Sequence, residues 1–112
     1  MKNALLFDDD LGLLLWLADV LCAAGYQAYP AEKFTDAASL LGDIQGGVDL
    51  AIVNPRLPEA VSLVNLLGSS PRPPAIMALE LEPVEPRAAM PGVNARLCVP
   101  DTGDAGSLSV CG

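Results

Sequence analysis

Short apolar runs alternate with longer, mostly apolar stretches along the chain, and polar or glycine-containing punctuation separates them. Ala4 to Phe7 is a continuous apolar run ending in Asp8-Asp9-Asp10, which predicts a strand buried on both faces that delivers carboxylates to the carboxyl end of a sheet. Good helix formers dominate from Leu11 to Ala24, with Asp10 at the N-cap position and Gly25 where a helix commonly stops. Tyr26 to Tyr29 predicts a second strand. Thr35 and Asp36 open a second helix that runs to about Ile44 and is closed by Gly46-Gly47, after which Asp49 to Val53 predicts a third strand. Glu59 to Leu67 carries a helical pattern ending at Gly68, and the proline-rich Pro71 to Pro74 resets the chain. Ala75 to Leu79 and Ala95 to Val99 then predict a fourth and a fifth strand.

Strands alternating with helices require crossovers, and crossovers give a parallel sheet covered on both faces. The pattern therefore predicts a flavodoxin-like α/β fold: a (βα)5 three-layer sandwich around a five-stranded parallel sheet, with the fourth and fifth helices reduced. Pro83, Pro86 and Pro91 leave room for only a short helix near Pro86 to Met90, and 101–112 reads as an irregular tail of small residues. In sheets of this kind a site forms beyond the carboxyl ends of the strands, where strand order reverses. Asp8, Asp9 and Asn54 are expected to meet there.

A chain of 112 residues that is 52% hydrophobic makes one domain, spanning 1–112. Fourteen acidic residues against 6 basic ones give a net charge of −8, which repels a phosphate backbone and argues against nucleic acid as a partner. The three cysteines, Cys22, Cys98 and Cys111, lack paired spacing, and no histidine is present to complete a zinc site of the usual kind. A reducing, cytoplasmic setting fits this usage. Cys22 and Cys98 read as core residues and Cys111 as an ordinary exposed thiol. The apolar stretch Leu11 to Ala24 follows three aspartates, contains Asp19 and is too short to span a bilayer, so it reads as a buried helix and not as a membrane segment.

Several segments together resemble the receiver domain of two-component response regulators: Leu5-Leu6-Phe7-Asp8-Asp9-Asp10, Ala24-Gly25-Tyr26, Asp49 to Pro58, Pro74-Ala75-Ile76-Met77, and Gly92 to Pro100. Each motif is weak alone; their order and spacing over nearly the whole chain make the resemblance specific. In that family an aspartate ending the third strand accepts a phosphoryl group, an acidic pair holds Mg²⁺, a Ser or Thr ends the fourth strand, and a Lys precedes a cis proline. The resemblance places Asp8 and Asp9 at the acidic pair. It places Asn54 at the acceptor, Leu79 at the hydroxyl position and Val99, before Pro100, at the lysine position.

Each replacement removes a function. The Asn54 amide has no anionic oxygen with which to form an acyl phosphate, and it is a poor Mg²⁺ ligand. Val99 supplies no positive charge and Leu79 no hydroxyl to draw inward. Deamidation of Asn54 to aspartate is an escape route disfavoured by Pro55, which lacks the backbone N–H that cyclisation needs. Two readings of the acidic cluster stand side by side. Asp8 and Asp9 hold Mg²⁺ weakly, or the aspartates only cap the following helix and complement its dipole. Asn54 is expected to donate to Asp8 or Asp9 and relieve the crowding of carboxylates.

With the phosphorylation site inert, function falls to the surface. On the first helix Leu14, Leu17, Ala18 and Leu21 form the core stripe, which leaves Leu13, Trp16 and Val20 as an apolar interface rimmed by Asp9, Asp10 and Asp19. The alternative packs Trp16 against the loop before the second strand or against the tail. Gly12 hints at a close approach of backbone or ligand to this helix.

The expected function is a stand-alone, degenerate receiver that works in signal transduction by phosphorylation-independent protein contact. Its partner would be a histidine kinase, phosphotransfer protein or regulator, or a second copy through the first helix. The alternative is a receiver-like switch that senses Mg²⁺ or a small ligand. An enzyme is not expected, because the chain has no histidine, no glycine-rich phosphate loop and no nucleophile beside a base.

Overall fold

The computed structural model describes residues 2–81, 92–99 and 109–111, with the side chains of Leu81, Cys98, Val99 and 109–111 left aside. The elements in order are β1 (Lys2–Phe7), α1 (Leu11–Ala23), β2 (Tyr26–Ala31), α2 (Phe34–Asp43), β3 (Leu50–Val53), α3 (Ala60–Gly68), β4 (Ala75–Leu81), β5 (Ala95–Val99) and β6 (Ser109–Cys111). All strands and helices expected from the pattern up to β5 are present within a few residues of their expected bounds. The short helix expected near Pro86 to Met90 lies outside the described residues, as does 100–108, where the fifth helix of the pattern would fall.

One sheet organises the chain, in the order β2-β1-β3-β4-β5-β6. The first five strands are parallel, which is the flavodoxin-like arrangement. Strand β6 adds antiparallel to β5, with Leu97 opposite Val110. The stretch read as irregular tail thus contributes a sixth strand. Short, small-residue runs carry little strand signal of their own, and β5 offers an unpaired edge that supplies the template.

Alternation along the strands sorts the side chains into two cores. Leu5, Phe7, Ala51, Val53 and Ile76 face α2 and α3, where they meet Ala37, Leu63, Val64 and Leu67. Ala4, Leu6, Ile52, Leu79 and Leu97 face α1, meeting Leu14, Leu17 and Leu21. Both faces being covered is the reason these strands read as unbroken apolar runs.

Helix α1 begins as its sequence suggests: Asp10 adopts an extended conformation and its Oδ1 accepts the Leu13 N–H at 3.2 Å. Gly25, with φ 95°, ends it in the left-handed region. Gly12 has no close neighbour to accommodate, since an added Cβ would meet only the Asp10 carboxylate at 3.4 Å. Cys22, read as core, is exposed instead. It lies one step of about 100° from Leu21, outside the stripe that Leu14, Leu17 and Leu21 define.

Candidate functional site

Strand order reverses between β1 and β3, whose chains leave in opposite directions to β2 and β4. Phe7 pairs with Val53 at the ends of these strands, so the next residues, Asp8 and Asn54, emerge side by side. Two backbone bonds hold the junction: Asn54 N–H donates to Phe7 O at 2.9 Å and Asp8 N–H to Ala31 O at 3.2 Å. The carboxylates and the amide are therefore carried by the sheet itself.

A small cleft of about 130 Å³ opens at this point, lined by Asp8, Asp9, Asp10, Leu13, Asn54, Arg56 and Leu79. The expected convergence of Asp8, Asp9 and Asn54 is met, and Leu79 joins them from β4, 5% exposed. Val99 sits in β5 opposite Leu81; its side chain lies outside the described residues.

Asp8 is buried, at 3% exposure, while Asp9 and Asp10 reach solvent. Loss of hydration pushes the Asp8 carboxyl above the ordinary aspartate value, opposed by the Asp10 N–H that donates to its Oδ1 at 2.9 Å. The neighbouring Asp9 carboxylate raises it further, and polar contact with the Asn54 amide lowers it. Asn54 thus favours the charged form of Asp8, in the sense expected from the sequence. Its own Oδ1 accepts the Arg56 N–H at 2.9 Å, an Asx turn across Pro55.

The donor set fits Mg²⁺ poorly. Octahedral Mg²⁺ draws on carboxylate oxygens free to face it, whereas here one oxygen of Asp8, the Asn54 oxygen and an oxygen of Asp10 already accept backbone N–H groups. Arg56 lines the same cleft, with its backbone N–H on Asn54 Oδ1. Among the described residues no group of three acidic, histidine or cysteine side chains is arranged to hold a metal.

The expected interface on α1 needs correction. Leu13 and Trp16 are half-buried and pack against the core that contains Leu79 and Leu97, and Val20 is half-buried on the same flank. Trp16 is large enough to reach back to the sheet from a position that a helical wheel assigns to solvent. The indole Nε1–H is enclosed without an acceptor among the described residues. The large apolar side chains that α1 exposes are Leu11, at 48%, and Leu15, at 53%, one turn apart on the opposite flank. They could not be told from core leucines by periodicity, because nearly every position of α1 is apolar. Arg56 was also missed; the signal was its place two residues after Asn54, where an Asx turn folds it back.

No protein-family model matches the chain, and no curated protein sequence matches it. Solved structures do. A CheY-like response regulator receiver domain from Methylobacillus flagellatus superposes with a TM-score of 0.70 at 19% identity, covering 96% of this chain and 92% of that one. The chain has the receiver fold. A second CheY-like receiver domain, from Methanospirillum hungatei, gives a TM-score of 0.66 at 18% identity over 94% of this chain and 86% of its own. A chain from the complex of the histidine kinase ThkA with the response regulator TrrA gives 0.67 at 21% identity, over 90% of this chain and 86% of that one. With this fold, the acidic turn after β1, the Asn54 turn after β3 and the end of β4 occupy the corner where strand order reverses.

Proposed function

We propose that this protein is an atypical receiver domain that transmits signals by protein contact and not by accepting a phosphoryl group. The observation that carries the reading is Asn54 at the end of β3, its Oδ1 engaged by the Arg56 N–H and its amide turned to the buried Asp8. A neutral amide there offers no nucleophile, and Leu79 at the cleft wall offers no hydroxyl. The Asp8–Asp9 pair holds Mg²⁺ weakly at best, since one Asp8 oxygen is already engaged and Asn54 supplies no charge. Asp8 and Asp10 serve to fix the start of α1. On this reading the chain is a non-catalytic signalling domain of the cytoplasm. Separately, no helix among the described residues is long and apolar enough to cross a membrane.

The contact surface is the exposed flank of α1, Leu11 and Leu15, beside a groove lined by Pro30, Glu32, Asp36 and Leu40. Asp19 and Asp36, with Asp9 and Asp10 near the helix start, give this flank an acidic rim. An apolar centre with an acidic rim suits a partner element with apolar side chains flanked by Lys or Arg. A histidine kinase, phosphotransfer protein or regulator of a two-component pathway is the partner class; the ThkA–TrrA complex is a structural neighbour in which a response regulator meets its kinase.

An amide NMR titration with Mg²⁺ and then beryllofluoride, a phosphoryl mimic, tests the inert site. No saturable shift is expected at Asp8, Asp9, Asn54 or Leu79. Saturable beryllofluoride shifts spreading to β4 would refute the proposal. For the surface, Leu15→Glu is expected to leave stability within about 0.5 kcal/mol while weakening partner binding about tenfold or more. Unchanged binding would remove α1 from the interface.

A further inference from the structure

Helices α2 and α3 run against the strands, so their carboxyl ends lie at the edge of the sheet opposite Asp8 and Asn54. Between those ends is a second, larger cavity of about 520 Å³. That volume is within the range of small-molecule sites. Its walls are Leu41, Val48, Leu66, Leu67 and Pro74, with Leu66 left 41% exposed. Gly46 and Gly47 keep one side open, since a Cβ at either would meet nothing within 4 Å.

The polar side chains that line it are engaged, with one exception. Ser69 and Ser70 hydroxyls donate to Leu66 O and Leu67 O at 2.8 Å each, and the Ser69 N–H donates to Asn65 O, so the last carbonyls of α3 are satisfied from within the rim. Asn3 Nδ2 ties Gly47 O at 2.9 Å and Gln45 O at 3.2 Å. The exception is Arg72, which lines the cavity and has no ion-pair or hydrogen-bond partner among the described residues. An arginine beside an apolar cavity with no partner among the described residues is notable in a chain of net charge −8, where carboxylate partners are in excess.

We propose that this cavity binds a small amphipathic carboxylate, its apolar body against Leu41, Val48 and Leu66 and its carboxylate on the Arg72 fork. Apolar walls with one convergent polar group are the general design of such sites. A guanidinium matches a carboxylate in two parallel hydrogen bonds. The carboxyl end of α2 carries partial negative charge that opposes an anion. That partial charge is outweighed by the full charge of Arg72, and the capped carbonyls of α3 add little to it. The proposal is independent of the inert phosphorylation site and of α1, which lie elsewhere on the molecule.

The test is an amide NMR titration of the full chain with octanoate and, separately, with octanamide, its uncharged counterpart. Saturable shifts at Leu41, Val48, Leu66 and Leu67 are expected, with octanoate about five- to tenfold tighter than octanamide. Arg72→Gln is expected to erase that preference, and Lys33→Gln, at the other end of α2, to keep it. Gly42→Leu is expected to block both ligands without unfolding the chain, because Gly42 is helical and an added Cβ meets nothing within 4 Å. The proposal is overturned by equal binding of the two ligands, by a preference that survives Arg72→Gln, or by undiminished binding to Gly42→Leu. Shifts that do not saturate by about 10 mM, an order of magnitude above a dissociation constant of about 1 mM, also overturn it.

Discussion

Asp8 Oδ1 accepts the Asp10 N–H at 2.9 Å from a position almost closed to water. The bond ties the end of β1 to the cap of α1, yet it does not outweigh the lost hydration, and the Asp8 carboxyl holds its proton more tightly than an unfolded aspartate does. Between the unfolded and folded values the native chain binds more protons. Stability therefore falls as pH rises through that window, and what is lost there is not regained above it. Asp8→Asn keeps an Oδ1 to accept the Asp10 N–H and removes the charge beside Asp9. Its melting temperature should exceed that of the native chain at pH 7, and the difference should shrink as pH approaches about 4. A difference that stays constant with pH would contradict this account of Asp8.

Asn54→Asp places a third carboxylate beside Asp8 and Asp9 while retaining an oxygen for the Arg56 N–H. Like charges at this spacing repel, so a loss of about 1–2 kcal/mol is expected in the absence of divalent ions. Mg²⁺ in the millimolar range should restore much of it by binding the native state. Thermal denaturation with and without Mg²⁺ reads both effects. If the native chain gains as much from Mg²⁺ as the variant does, the cleft is a metal site with Asn54 in place.

Trp16 presents two opposing contributions, the apolar area packed against the Leu79 and Leu97 core and an enclosed indole N–H with no acceptor among the described residues. Trp16→Phe keeps most of the first and removes the second, so it should change stability by less than about 1 kcal/mol. Trp16→Asp forfeits the packing and brings a charge against the core. Chemical denaturation should then show a loss of about 2–4 kcal/mol. A silent Trp16→Asp would return Trp16 to the exposed surface.

Gly92 stands at φ 89°, and a Cβ there would lie 2.8 Å from Val64 Cγ1 of α3. Gly92→Ala combines left-handed backbone strain with a clash, for an expected loss of about 1–3 kcal/mol. Val64→Ala in the same chain makes room for the methyl. Its cost should be smaller in the Gly92→Ala background than alone, and a double-mutant cycle measures that coupling. Additive losses would show that the strain is in the backbone and not in the contact.

The acidic turn, the five parallel strands and the three helices were legible because each rests on local chemistry. Ala4 to Phe7 and Leu50 to Val53 are apolar runs of strand length, Asp10 is a good N-cap, and Gly25 suits a left-handed C-terminus. The meeting of Asp8 with Asn54 followed from the crossover rule once the strands were placed. The exposed flank of α1 was not legible. Periodicity gives the direction of a side chain from the helix axis but not its reach, and Trp16 reaches the sheet where Leu15, much smaller, does not.

By itself the sequence determined the order of elements, the parallel sheet and the amide at the end of β3, since these depend on residue type and near neighbours in the chain. Tertiary structure decided what depends on residues distant along it. The pairing of β6 with β5 required an open strand edge, the burial of Asp8 required β1 and β3 to bring their ends together, and the cavity at Arg72 required α2 and α3 to end side by side. Burial and cavity shape are properties of packed surfaces, and no local pattern encodes the distance between two helix ends.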